Sequence, residues 1–158
     1  MSLGNGAKPS IVGEMFIKHP GLDVPLTLKD TWYQVAGIDK GVEFEMTVNE
    51  VTGIFTIKHD GLYKFDGVAS ITPNLGVLIH FAMFLNSTEI EKIETSLDFQ
   101  NNQDLNTFSG TGIIEVVKGD EITVRAMANL DGRILSVEHL NNLYTKYESR
   151  NRNVEIAA

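Results

Sequence analysis

The sequence predicts an all-β sandwich or barrel, on three observations. Short runs of apolar and β-branched residues recur along the chain. Turn dipeptides fall between those runs. The 14 glycines against 4 prolines suit a chain of short strands and tight reversals. Ile11 to Lys18 is the first candidate strand, and Trp32 to Gly37 the second. Phe44, Met46 and Val48 alternate with Glu45 and Thr47, the period-2 pattern of a half-buried strand. Ile54 to Lys58 and Leu62 to Thr72 follow. Asp60-Gly61 and Asp131-Gly132 are strong hairpin signals, because both residue types tolerate positive φ. Asn86-Ser87 and Lys118-Gly119-Asp120 mark two further turns. Glu89 to Leu97 places Ile90, Ile93 and Leu97 at helical spacing, and Ser136 to Tyr147 is similarly ambiguous. The surrounding turn rhythm favours strand for both.

The 158 residues suggest one domain. Residues 1–10, with Gly4, Gly6, Asn5 and Pro9, read as a flexible N-terminal arm. Residues 11–147 form the sandwich, and 148–158 are a polar C-terminal tail. With no cysteine, disulfides, thiolate metal sites and cysteine nucleophiles are excluded. The formal net charge of −8 argues against nucleic acid as a partner, since phosphate contacts need clustered Lys and Arg. Membrane insertion is not expected either: the longest apolar run, Gly76 to Leu85, is too short to span a bilayer and carries His80. The first residues lack the basic and apolar regions of a signal peptide, so the chain is expected to start near Met1.

The run Val77 to Leu85 is the most informative stretch. Val77, Ile79, Phe81, Met83 and Leu85 share one face, and Leu78, His80, Ala82 and Phe84 the other. An antiparallel sandwich strand needs only one apolar face. The second face therefore needs cover: a neighbouring subunit is its expected source, and burial beneath a long loop of the same chain is the alternative. Leu78, His80, Ala82 and Phe84 are accordingly the expected oligomer interface. By contrast, Ile122 to Asn129 alternates Ile122, Val124, Ala126 and Ala128 with the mostly polar set Thr123, Arg125, Met127 and Asn129, as an ordinary sandwich strand does.

Phe55, Gly61, Tyr63 and Phe65 spell Phe-x5-Gly-x-Tyr-x-Phe. This resembles the core signature of the tumour-necrosis-factor-like superfamily, and specifically the globular heads of complement-component-like proteins. The segment Phe108 to Val124, with Gly119-Asp120 between two apolar runs, resembles that family's closing strand pair. The resemblance covers roughly Phe55 to Asn129, about half of the chain. Where the family usually places a further aromatic two residues after Phe65, this chain has Gly67. The resemblance implies a ten-strand jelly roll forming a compact trimer about a threefold axis. Such modules are also similar to those of bacteriophage head decoration proteins and fibres. Thr31-Trp32-Tyr33-Gln34-Val35-Ala36-Gly37 resembles an opening found in the phage versions.

Other constellations carry little chemistry. His19, His59, His80 and His139 form no zinc-binding spacing, so no metal is expected. Asp98 to Asp104 is rich in oxygen ligands but fits no calcium loop, and a solvated turn explains it. Glu89, Glu91 and Glu94 read as a solvated face rather than an acid–base pair. Gly110-Thr111-Gly112 lacks the third glycine and the helix of a dinucleotide fingerprint, and no nucleophile elbow is present. No catalytic residue and no cofactor are expected.

The expected function is that of a non-enzymatic bacteriophage structural protein, a homotrimeric capsid decoration or fibre-associated jelly roll. Its partners would be other virion proteins, such as a major capsid protein. Met1, Ser2, Leu3 and Lys8 in the arm are the expected contacts to that partner, ordering on binding. The alternative is a receptor- or carbohydrate-binding module of a fibre tip or bacterial surface protein, extracellular or on a cell surface. That reading needs exposed aromatics, for which Trp32 and Tyr33 are the candidates.

Overall fold

The computed structural model describes residues 10–18, 21–44, 46–72, 77–90, 94–98 and 106–146. Among these are thirteen strands and no helix. They are β1 (Ser10–Ile17), β2 (Leu22–Leu26), β3 (Tyr33–Gln34), β4 (Asp39–Glu43), β5 (Met46–Asn49), β6 (Ile54–Ile57) and β7 (Gly61–Thr72). β8 (Leu78–Leu85), β9 (Thr88–Glu89), β10 (Thr95–Asp98), β11 (Asn106–Val116), β12 (Glu121–Ala128) and β13 (Arg133–Lys146) complete the set. The arm residues Met1, Ser2, Leu3 and Lys8, His19, the 148–158 tail and most of the Asp98 to Asp104 segment lie outside the described residues.

The strands form two antiparallel sheets. The first runs β11-β7-β13-β1-β4, with β2 also paired to β13. The second runs β10-β8-β12-β6-β5, with β3 paired to β12 and β9 to β8. The chain passes from sheet to sheet at β2–β3, β3–β4, β4–β5, β6–β7, β7–β8, β10–β11, β11–β12 and β12–β13. This is the wiring of a jelly-roll sandwich. The expected all-β jelly roll is therefore the observed fold.

The expected turn signals hold in position, but most of them do different work from a hairpin. Asn86, at φ 56°, closes a two-residue hairpin in which Leu85 pairs with Thr88. Gly119 at φ 95° and Gly132 at φ 66° sit where the chain crosses between sheets. Asp60-Gly61 also joins strands of different sheets, and Gly61 is not in the left-handed region. Its lack of a side chain matters for packing instead: a Cβ there would stand 2.9 Å from Lys146 Cε. A tight hairpin missed in the sequence joins β5 to β6. Asn49 Oδ1 accepts from Val51 N (3.0 Å) and Thr52 N (3.1 Å), and Gly53 takes φ 75°. Asn followed four residues later by Gly was the available signal.

Two strand expectations need correction. Trp32 to Gly37 contributes only the short β3, because Trp32 lies outside the ladder. Phe44 does not continue the alternation of Met46 and Val48: it sits in a bend before β5 and is 66% exposed. The ambiguous segments resolve towards strand, with Thr88–Glu89 and Thr95–Asp98 in the first and β13 spanning most of the second.

The core between the sheets is knit by aromatics. Phe55 from the second sheet lies 4.2 Å from the ring of Tyr144, which lies 4.7 Å from that of Phe65. Tyr63 and Phe65 are 6.5 Å apart. All four are fully buried. The three aromatics of the Phe-x5-Gly-x-Tyr-x-Phe pattern are thus core residues. Tyr63 reaches further, donating its hydroxyl to the carbonyl of His59 at 2.9 Å and fixing the β6–β7 crossing.

Gly53→Ala is expected to cost about 2–4 kcal/mol, since the new Cβ meets the Val35 carbonyl as well as requiring positive φ. Gly119→Ala, at positive φ but in open space, should cost about 1 kcal/mol. Urea unfolding of both variants checks the ranking. Glu43 accepts from Val48 N at 2.7 Å, which holds its carboxyl below the usual range, with Lys40 at 3.4 Å helping. The contribution of Glu43 is therefore full above the unfolded carboxylate value and lost as pH falls through its lowered folded value. The protection factor of Val48 N against hydrogen exchange should fall in acid, relative to its pH-dependent intrinsic rate, and Glu43→Gln should remove that fall.

Candidate functional site

Two outward-facing surfaces compete for a role in recognition. The first is the outer face of β8, where the sequence places Leu78, His80, Ala82 and Phe84. The four do share a face, alternating with the core residues Ile79, Phe81 and Met83. That face is not left for another molecule to cover. Ala82 is 2% exposed and Phe84 4% within the single chain. Trp32 packs edge-on to Phe84 at 5.1 Å and to His80 at 6.4 Å. The Arg125 guanidinium stacks 4.4 Å above the Phe84 ring. Arg125 is itself held, with Nε donating to Thr123 Oγ1 (3.0 Å) and a terminal nitrogen donating to the Asn86 carbonyl (3.2 Å).

The premise that a doubly apolar strand must be sheltered by a neighbour is therefore corrected. The shelter comes from the segment before β3 and from β12. Sequence alternation marked Arg125 as solvent-facing, and it does face outward. What the alternation could not show is that a long cationic side chain lies flat over an aromatic ring. His80 and Leu78 remain half-buried at the same face. His80 Nδ1 lies 3.0 Å from Glu94 Oε2, so Glu94, expected with Glu89 and Glu91 on a solvated face, is exposed and pairs across the strands. Leu78 N donates to Asn129 Oδ1 at 2.9 Å.

Trp32 and Tyr33 do not form an exposed aromatic pair. Trp32 lies on Phe84, and Tyr33 is half-buried against the core with its hydroxyl accepting from Leu28 N at 2.9 Å. His59 and His139 sit on elements distant in the fold from His80: His59 precedes β7, and His139 is on the outer face of β13. Gly110-Thr111-Gly112 lies inside β11 rather than in a phosphate-binding loop.

The second surface is the outward face of the β11-β7-β13-β1 sheet, which the sequence reading did not single out. Register fixes its rows. Phe16, Asn141, Val68 and Ser109 lie side by side across four strands, and Glu14, Leu143, Asp66 and Thr111 form the next row. Ile113 lies beside Lys64 one row further. Val68 is 50% exposed and Ile113 44%. The charges between them are tied locally: Asn141 Nδ2 donates to Glu14 Oε2 (2.9 Å), and Lys64 pairs with Asp66 (3.7 Å). Around Phe16, Val68 and His139 the face dips into a shallow depression of about 470 Å³. Alternation along β7 held the signal, since Val68 stands among Lys64, Asp66 and Ser70 on the polar side of the strand.

The chain matches no family model, and no curated protein matches it in sequence. Its fold has many solved counterparts. It is similar to the Eiger tumour necrosis factor of S. frugiperda, with a TM-score of 0.63, 14% identity, and 88% of this chain covering 93% of that one. It is similar to the globular domain of zebrafish complement 1qA, at TM-score 0.57 and 19% identity, covering 84% of this chain and 95% of that one. Murine APRIL gives a TM-score of 0.59 at 10% identity, over 87% and 99% of the two chains. At such identities the likeness is one of fold. The chain has the jelly-roll fold of tumour-necrosis-factor and complement globular domains.

Proposed function

We propose that this chain is a non-enzymatic structural protein of a virion, a homotrimeric decoration or fibre-associated jelly roll. Its subunits meet through the outward face of the β11-β7-β13-β1 sheet. The observation that carries the assembly reading is the alignment of Phe16, Val68, Leu143 and Ile113 on that face. Exposed apolar residues gathered on one sheet are suited to association, and the charges among them already have partners. A threefold arrangement is what the sequence resemblance implies. The virion setting rests on the opening Thr31 to Gly37 and on the acidic, cysteine-free composition. A major capsid protein or a tail component is the corresponding partner.

Light scattering on the purified chain should give three times the 17.5 kDa subunit mass. A combined Val68→Arg and Ile113→Arg variant should run as a folded single chain. A wild-type protein that stays monomeric at tens of micromolar sinks the assembly reading. Phe84→Asp separates the two surfaces. It places a carboxylate beneath Trp32, and should lower stability by about 3–5 kcal/mol while leaving the mass of the folded fraction unchanged. Detection of the chain in purified particles tests the setting, and its absence from particles of the phage that encodes it rules that setting out.

A further inference from the structure

Between the sheets, a cavity of about 30 Å³ opens where two strands lack side chains. Gly67 of β7 and Gly110 of β11 are direct cross-strand partners, and Asn142 of β13 pairs with Gly67 from the other side. The opposite wall is Phe81, Met83 and Val124. Asn142 is 2% exposed, and its Nδ2 makes no hydrogen bond of normal geometry, the Tyr144 hydroxyl being only loosely placed towards it. Its Oδ1 fills the place beside Gly67, lying 2.6 Å from where a Cβ would stand. Two residues on, the Tyr144 hydroxyl is also buried without a hydrogen bond of normal geometry. Burial pushes that phenol up in pKa, partly offset by the adjoining Asn142 amide, so it stays a neutral donor.

We infer that this cavity is a binding site for one neutral oxygen acceptor, held by Asn142 Nδ2. The acceptor is a water molecule or the hydroxyl end of a small organic molecule. Buried amide donors in folded proteins are almost always satisfied, which calls for an acceptor here. The lining has no Lys, Arg or His, so it offers no counter-charge to an anion and suits a neutral group. The volume sets the size: a water requires on the order of 10–15 Å³, so the space takes a water or a molecule of a few heavy atoms. An alcohol would place its methyl groups against Phe81 and Val124.

Crystals of the full chain, grown with and without 2-propanol, test this. A compact density peak about 2.7–3.2 Å from Asn142 Nδ2 in both crystals identifies water. A peak that elongates towards Phe81 only with 2-propanol identifies the organic ligand. Either outcome supports the site, and Asn142→Leu should remove the density. A cavity without density in both crystals, or an Asn142 amide bonded directly to a protein acceptor, overturns it. The readout at Asn142 is independent of subunit mass, so it stands or falls apart from the assembly reading.

Discussion

The sandwich depends on one contact between its layers, the stack of Phe55, Tyr144 and Phe65. Phe55 comes from β6 in the second sheet, and Phe65 and Tyr144 from adjacent strands of the first. Aromatic pairs at such distances add about 0.5–1.5 kcal/mol each beyond the burial of their area. Their more important effect is on register. A one-residue slip of β7 would turn Tyr63 and Phe65 outward and bring Leu62, Lys64 and Asp66 into the core. The outer row containing Val68 exists only because Phe65 and Tyr144 pin β7 and β13 in the alignment that pairs Val68 with Asn141.

Much of the fold was legible because its signals are local. Period-2 alternation located β5 and β12, the long apolar run Val77 to Leu85 located β8, and the Phe55, Tyr63 and Phe65 spacing located the core. Gly119 and Gly132, both at positive φ, marked the β11–β12 and β12–β13 connections. What the sequence concealed is the pairing of elements far apart along the chain. Asp60-Gly61 has the chemistry of a hairpin turn, yet it joins different sheets, because no local signal states which strand a neighbour will pair with. Phe44 shows the opposite failure, since an apolar residue in phase with Met46 and Val48 lies outside the strand and points to solvent.

The candidate surface was missed for a related physical reason. The argument from Val77 to Leu85 counted apolar residues on one strand and sought their cover in a second molecule. Cover came from Trp32, more than forty residues upstream, and from Arg125 about forty downstream. The residues of this patch, exposed Val68 and Ile113 with half-buried Phe16 and Leu143, come from four strands, each contributing one apolar side chain to it. No single strand carries enough of them to look unusual. Only the ladder register brings them onto one face, with Lys64, Asp66, Glu14 and Asn141 interleaved.

Trp32 is the sole tryptophan of the chain. It rests on Phe84 and beside His80, outside the sandwich rather than within it. Its emission therefore follows the lifting of the segment before β3 from the back of β8. An event that loosened this segment alone would change the colour of the protein's fluorescence while circular dichroism still recorded an intact β-sandwich. The chain thus carries an optical reporter for one strap of its own architecture, separable from the loss of its core.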